Sequence, residues 1–400
     1  MKRNRIVFLI LFVLSLVLCY FYKGQVSSMF LYGLLLLPMV SLGYMIFIYF
    51  RFKYWQELDK KFVTKGEAVK FKFSIHNESI LLYPLIKVRF YNMNSLFEKT
   101  FADKSFMINP LKKKDYELSF ECKYRGYYEF GINSIFIGDL LGLFCIKHEV
   151  LTPKCITVYP RIIPLSKFAM INSNIGDTEK VGRSNYEDNT MISDTRKYVQ
   201  GDSIKRIHWK LTAKKQDLLV KNYENSLQTA VNLIVDLTSN NYSNKENALI
   251  EDIVIESAIA VVHFCLNNFI PVQLNYFNDH MVTNHAKNMF DFDEIYNVLF
   301  QLKFDQTVSF AEVVNLTQEV TLDNIDIILV TANLNQTLYT QICNQVMLGN
   351  SVILIYIYTP TNKEQEEIEE LESIFKLLSE INVICYRLGL NDDIKRVLEQ

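Results

Sequence analysis

Little in this chain points directly to chemistry. Its seven cysteines (Cys19, Cys122, Cys145, Cys155, Cys265, Cys343 and Cys385) are odd in number and scattered, with no Cys-x-x-Cys pair. That pattern argues against a disulfide framework and predicts reduced, buried thiols. The six histidines do not assemble either. His280 and His285 share a stretch with no carboxylate or cysteine at ligand spacing, which predicts surface histidines, and His208 is expected to be partly buried. No Gly-x-Ser-x-Gly elbow is present, and no thiol has a histidine partner in sequence. A glycine pair at Gly176 and Gly182-Arg183-Ser184 has a spacing one residue too long for a phosphate loop, an arginine for its lysine, and no buried strand before it. An excess of one charge is missing as well. The net charge of −2 excludes a general nucleic-acid binder, so no nucleic acid is expected as a partner. Neither an internal repeat nor a low-complexity run is present.

What is abundant is apolar sequence, 50% of 400 residues, much of it in the first fifty. A chain of this length exceeds a single core and predicts two or three domains besides any membrane segment. Residues 6–22 and 29–50 carry no charge, and at about 1.5 Å per residue each run can cross a ~30 Å hydrocarbon layer. A signal peptide would explain Lys2, Arg3 and Arg5, but no small-x-small cleavage site follows, and the second run begins after six residues. A transmembrane helical hairpin over residues 1–51 is the expectation. Basic residues flank it on both sides (Lys2, Arg3 and Arg5, then Arg51, Lys53, Lys60 and Lys61), against Lys23 alone in the connecting loop. The positive-inside rule then makes this a two-span cell-membrane protein with both termini in the cytoplasm, and lipid becomes an expected partner.

From about residue 58 to 162, within a domain expected over 52–164, the period is two. Val69, Phe71, Phe73 and Ile75 alternate with Lys70, Lys72, Ser74 and His76, and Ile86, Val88 and Phe90 with Lys87 and Arg89. Half-buried strands of this kind predict an all-β, immunoglobulin-like sandwich. Residues 165–226 read as a polar linker followed by a motif. From 227 to 400, continuous apolar strands at 231–235, 272–277, 327–330, 352–356 and 383–387 alternate with helices near 245–268, 292–303, 336–347, 364–381 and 391–399. That alternation predicts an α/β doubly wound domain with a parallel sheet covered on both faces.

The motif lies between residues 194 and 224. Gly201 ends an extended piece, Asp202 can cap a helix starting at Ser203, and Ile204, Ile207 and Leu211 form an aliphatic stripe. A second line carries Asp202, Arg206, Trp209 and Ala213 at spacings of four, three and four. A stacked indole and guanidinium there can meet another surface, although large aromatics are more often buried, which favours an internal joint. The basic residues Lys205, Arg206, Lys210, Lys214, Lys215 and Lys221 offer a solvated face or a cradle for anionic lipid. Asp194, Arg196, Tyr198, Gly201, Asp202, Arg206, Trp209, Ala213 and Lys221 resemble the signature of the bacterial family known as domain of unknown function 58 (DUF58). Upstream, Arg125-Gly126, Asp139 with Gly142-Leu143-Phe144, and Val158-Tyr159-Pro160-Arg161 extend the resemblance. The resemblance implies a membrane-anchored partner of MoxR-type AAA+ ATPases, found beside membrane transglutaminase-like proteins, with a von Willebrand factor A-like C-terminal domain.

The first strand of that last domain ends in Asp236-Leu237-Thr238-Ser239-Asn240, which resembles the Asp-x-Ser-x-Ser metal loop of von Willebrand factor A domains. Here Thr238 and Asn240 replace the serines, and Thr331-Ala332-Asn333 stands where Thr-Asp-Gly would be expected. Losing hard anionic oxygens weakens a Mg²⁺ site, so Asp236, Thr238, Asn240 and Thr331 are a degenerate metal site, and no cofactor is expected. The sequence reads as a non-enzymatic scaffold or adaptor. Its rivals are a metal-dependent hydrolase centred on Asp236 and a metal-dependent adhesion module.

The topology has a direct test. A phosphatase fused at Gln400 should be inactive and a fluorescent protein at the same place bright, because basic residues flank both ends of the hairpin. The reverse result places residues 52–400 outside the cytoplasm.

Overall fold

A computed structural model describes residues 2–22, 24–91, 102–169, 192–197, 207–215, 217–223, 231–239, 242–318, 325–358 and 365–400. The chain forms two compact units, Met1–Arg161 and Ile162–Gln400.

The first unit starts with helices α1 (Lys2–Phe21) and α2 (Gln25–Arg51), each long and apolar enough to cross a membrane. Their aliphatic side chains are mostly exposed, as expected of helices whose partner is not protein. The exceptions lie in α2, where Leu34 and Met45 are buried and Ile48 fully so. The apolar run at 29–50 is therefore two things joined, a largely exposed stretch and a last part that belongs to a protein core.

That core is β-rich. Its strands are β1 (Lys53–Leu58), β2 (Phe62–Thr64), β3 (Ala68–His76), β4 (Tyr83–Phe90), β5 (Lys104–Ile108), β6 (Lys113–Glu121), β7 (Gly126–Phe130), β8 (Ile132–Gly138), β9 (Cys145–Glu149) and β10 (Lys154–Tyr159). They form sheets ordered β1-β3-β6, β5-β4-β8-β9 and β2-β10-β7. In β3 the alternation read from sequence buries Val69, Phe71, Phe73 and Ile75 and exposes Lys70 and Lys72. Ser74 departs from it, being buried with its hydroxyl 3.0 Å from His76 Nε2. Phe71 packs edge-on against Phe130, and Phe73 stacks on Tyr116. Ile48 joins this same cluster.

The second unit contains β11 (Ile192–Lys197), α3 (Trp209–Lys215), β12 (Leu219–Tyr223), β13 (Val231–Val235), α4 (Asn244–Asn267), β14 (Val272–Asn278), β15 (His280–Ala286), α5 (Phe292–Gln301), α6 (Phe310–Gln318), β16 (Asp326–Thr331), α7 (Gln336–Met347), β17 (Ser351–Tyr358), α8 (Gln365–Glu380), β18 (Ile384–Gly389) and α9 (Ile394–Leu398). Six strands make a mixed α/β sheet in the order β15-β14-β13-β16-β17-β18, parallel except for β15. Strands β13, β16 and β17 are buried almost throughout, which is why they read as continuous apolar runs. Ser243 caps α4 in a reciprocal box with Glu246. Three elements escaped the sequence reading: β12, β15 and α6. His280 and His285 lie in β15, both exposed, and His208 is half-buried.

Replacing Ile48 by Ala should cost about 2–4 kcal/mol of stability, the scale of a buried large-to-small change. Leu36→Ala, at an exposed position of the same helix, should leave the urea unfolding of the detergent-solubilised chain unchanged. Equal effects of the two changes would remove α2 from the β-rich core.

Candidate functional site

The ends of the 194–224 motif come together as a hairpin. β11 pairs antiparallel with β12, setting Asp194 opposite Asn222, Thr195 opposite Lys221 and Arg196 opposite Val220. Ile207 also bridges to Val220, and the His208 amide donates to Leu219 O at 2.8 Å. Ile207 is thus buried in an extended pairing and is not part of a helical stripe. The helix begins at Trp209, where His208 Nδ1 accepts from the Leu211 amide at 3.2 Å and does the work of a cap. Tyr198, Gly201, Asp202 and Arg206 lie outside the described residues, as does Asn240. Trp209 is 62% exposed, and Ala213 is exposed with it. Burial of the indole was the expectation. The short helix turns it outward because its inner side is taken by Thr212, whose hydroxyl accepts from the Leu219 amide at 3.1 Å.

A second cluster stands where the sheet order reverses. β13 and β16 are parallel neighbours, with Val235 level with Val330, so the residues following each strand meet. In doubly wound sheets this point is where ligands are held. Asp236 follows β13, is 3% exposed, and receives four hydrogen bonds. Its Oδ1 accepts from the amide and hydroxyl of Thr238 at 2.9 and 2.7 Å. Its Oδ2 accepts from the Thr331 hydroxyl at 2.5 Å and from Asn333 Nδ2 at 3.3 Å. Asn333 Nδ2 donates also to Thr238 Oγ1 at 2.7 Å. Asp236, Thr238 and Thr331 therefore converge as the spacing implied, and Asn333 completes the set. Burial pushes the Asp236 carboxyl above its ordinary range, opposed by the bonds from Thr331, Thr238 and Asn333.

This donor set does not suit a hard divalent cation. Mg²⁺ needs several oxygen ligands and usually more than one anionic group. Here there is one carboxylate, both its oxygens are engaged by the protein's own donors, and the side chain facing it at 333 presents an N–H. Among the described residues no three His, Cys, Asp or Glu side chains converge. The thiols offer no nucleophile in the interior. Burial pushes Cys122 up to about 12 and Cys385 up to about 11, and raises Cys265 as well. All seven cysteines are free, but only Cys122 and Cys265 are buried, and Cys155 is exposed.

Two further features stand out, one unforeseen and one met above only through the family resemblance. Asp252 and Glu256 lie one turn apart in α4, and both are buried and partnered. Acids buried in the middle of an apolar helix are uncommon enough to have been noticed. The other is the β8–β9 turn, Asp139 to Phe144. Asp139 is 2% exposed and accepts from the Ser41 hydroxyl of α2 and, at 3.0 Å, from the Phe144 amide. Asn4 Nδ2 donates to Leu141 O at 2.9 Å, and Arg5 Nε to Leu143 O at 2.7 Å. Gly142 has φ +68, and a Cβ there would lie 2.6 Å from Asn4 Nδ2. Its backbone conformation favours glycine, and any Cβ there would displace the Asn4 side chain from its bond to Leu141 O.

Comparison with known proteins gives one family match. The model described as protein of unknown function DUF58 matches residues 194–286, from the start of the motif hairpin to the end of β15. No curated protein matches the chain. Among solved structures, the CARDB domain of the PF1109 protein from Pyrococcus furiosus is 13% identical, covering 27% of this chain and 93% of that one with a TM-score of 0.19. Proximal thread matrix protein 1 from the mussel byssus is 16% identical, covering 43% of this chain and 46% of that one with a TM-score of 0.29. Spo0M, a sporulation control protein from Bacillus subtilis, is 15% identical, covering 27% and 49% with a TM-score of 0.18. Likenesses at these TM-scores assign neither fold detail nor activity.

The Asp236 cluster predicts a pH dependence. A carboxyl held above its ordinary value stabilises the fold fully below the unfolded value of about 3.9 and loses that contribution as pH rises through the folded value. Relative to Asp236→Asn, the wild-type chain should therefore lose unfolding free energy as pH is raised from that range toward neutrality. Urea unfolding of both proteins across that interval checks it, and parallel curves would mean that the carboxyl titrates alike in both states.

Proposed function

We propose that this chain is a membrane-anchored, non-enzymatic scaffold. In this reading the α1–α2 hairpin crosses the cell membrane twice with both termini in the cytoplasm. The β-rich body is an immunoglobulin-like sandwich, and the α/β domain is a von Willebrand factor A-like module. That module recruits a MoxR-type AAA+ ATPase to the membrane for envelope or protein-complex maturation, beside a transglutaminase-like membrane protein. The membrane assignment is supported by two exposed apolar helices of sufficient length. The module is supported by the reversal of strand order between β13 and β16 and by the acid placed at that point. The ATPase comes from the resemblance of the signature residues.

The observation that carries the non-enzymatic reading is the closure of the Asp236 cluster. A general base or metal ligand must leave an oxygen open to its target. Both Asp236 oxygens are instead satisfied within the chain, by Thr238 on one side and by Thr331 and Asn333 on the other. The cluster ties two adjacent strand ends and shapes a surface, which is what a recruiting module needs. Trp209 is the strongest candidate anchor on the motif, since a large exposed aromatic is the residue type that dominates protein interfaces.

Affinity purification of the full chain from membranes, followed by mass spectrometry, should recover the ATPase. Trp209→Ala should leave the melting temperature nearly unchanged, because the indole is exposed, and reduce the recovered ATPase by about tenfold or more, the scale of a hot-spot truncation. Unreduced recovery removes Trp209 from the interface, and absence of any ATPase from the wild-type purification removes the partner.

A further inference from the structure

The turn between β8 and β9 is held from two sides by polar contacts, yet it presents apolar side chains to solvent. Leu140 is 60% exposed and Leu141 37%. Adjacent exposed leucines are common on protein surfaces, so what matters is where these two are fixed. The carbonyls of Leu141 and Leu143 are gripped by Asn4 and Arg5, in the first turns of α1. Asp139, just before the pair, is bound to Ser41 of α2. The turn is thereby locked to both helices at the end of the hairpin where α1 begins. The basic residues Lys2, Arg3 and Arg5 lie in that same stretch of α1.

The geometry points to a third membrane contact: the Leu140-Leu141 tip of the β8–β9 turn seats in the headgroup–acyl boundary of the bilayer that the hairpin crosses. This rests on the membrane-spanning reading of α1 and α2. The occupant follows from continuity and charge. Asn4 and Arg5, which hold the turn, are followed directly by Ile6 and Val7, 60% and 50% exposed at the start of the apolar run, so the solvent that covers the helix lies next to the tip. Arg3 and Arg5, in the turn of α1 that holds it, suit anionic headgroups. Amphipathic helices lying in this boundary bury their apolar face by about 5–10 Å, and the two-leucine tip is placed in that same layer. Asp139, Gly142, Leu143 and Phe144 acquire a common purpose in this arrangement. The acid and the glycine build the turn against the helices, and the turn carries the leucines to the interface. The β-rich body then meets the bilayer at a fixed angle instead of hanging from a tether.

Tryptophan quenching reads the depth. The two native tryptophans, Trp55 and Trp209, are changed to Phe, and single tryptophans are placed at Leu140, Leu141, Leu14 or Leu151 of the full chain. Each protein is reconstituted into phosphatidylcholine–phosphatidylglycerol vesicles brominated at either a shallow or a deep acyl carbon. Leu14→Trp, in the middle of α1, reports on the membrane-spanning reading and should be quenched by the deep bromines. Leu151→Trp occupies an equally apolar and more exposed position (86%) beyond the far end of β9, about 15 Å further along the strand, and should be unaffected by either lipid. Leu140→Trp and Leu141→Trp should lose most of their emission to the shallow bromines and shift to the blue. Should both instead behave like Leu151→Trp while Leu14→Trp is quenched, the turn lies in water, and the inference is overturned with the hairpin intact. An unquenched Leu14→Trp overturns the spanning reading and the inference together.

Discussion

Taking the Asp139 carboxylate out of water is tolerable only because it is hydrogen-bonded from two directions. The Ser41 hydroxyl reaches it from α2, and the Phe144 amide from across its own turn. An uncompensated carboxylate in that position would cost several kcal/mol. Everything around it depends on that pairing. It fixes the β8–β9 turn and brings the Leu141 and Leu143 carbonyls within reach of α1. The same turn holds residue 142 at a positive φ, where glycine is favoured. A helical hairpin and a β-rich body have no periodicity in common, so ridges and pleats do not register by themselves. A few directional polar bonds at one turn supply the register, and Met45 and Ile48 supply the apolar burial beneath it.

The second unit solves a similar problem with a different acid. Asp236 sits where two parallel strands end side by side, a place that leaves strand-terminal groups facing an open crevice. Thr238, Thr331 and Asn333 fill that crevice with donors aimed at one carboxylate. The result resembles an emptied metal site in outline, but its chemistry is that of a knot. The two units thus each centre on a buried acid whose partners are hydroxyls and amides.

How much of this could be read from the sequence differs by element. The strands of the first unit declared themselves through Val69, Phe71, Phe73 and Ile75, because alternation survives wherever one face is buried. The buried strands β13, β16 and β17 were equally plain as short apolar runs. β15 was not, since His280 to Ala286 mixes polar and apolar residues and owes its extended form to pairing with β14. The tight turn that makes the pairing possible places Asp279 at φ +56, and the Asn278-Asp279 dipeptide was its one local sign. The motif helix was drawn too long because Ile204, Ile207 and Leu211 keep helical spacing, whereas Ile207 is claimed by Val220. At the strand-end cluster, Asp236 was recognisable from its position after an apolar strand. That Asn333 closes the cluster was not, since 97 residues separate the two and only the pairing of β13 with β16 brings them together.

Hydropathy alone would cut this chain after Arg51, where the apolar run stops. The polypeptide has no such seam. Ile48 precedes every strand in synthesis, yet it shares one buried cluster with residues as late as Val158. The end of α2 must therefore wait, uncovered, until β8 and β9 have been made. A fragment released at residue 52 carries a vacancy that its own strands cannot fill. The first unit is in this sense indivisible: its apolar hairpin also supplies a piece of its interior, and whatever pulls the helix out of place opens the body attached to it.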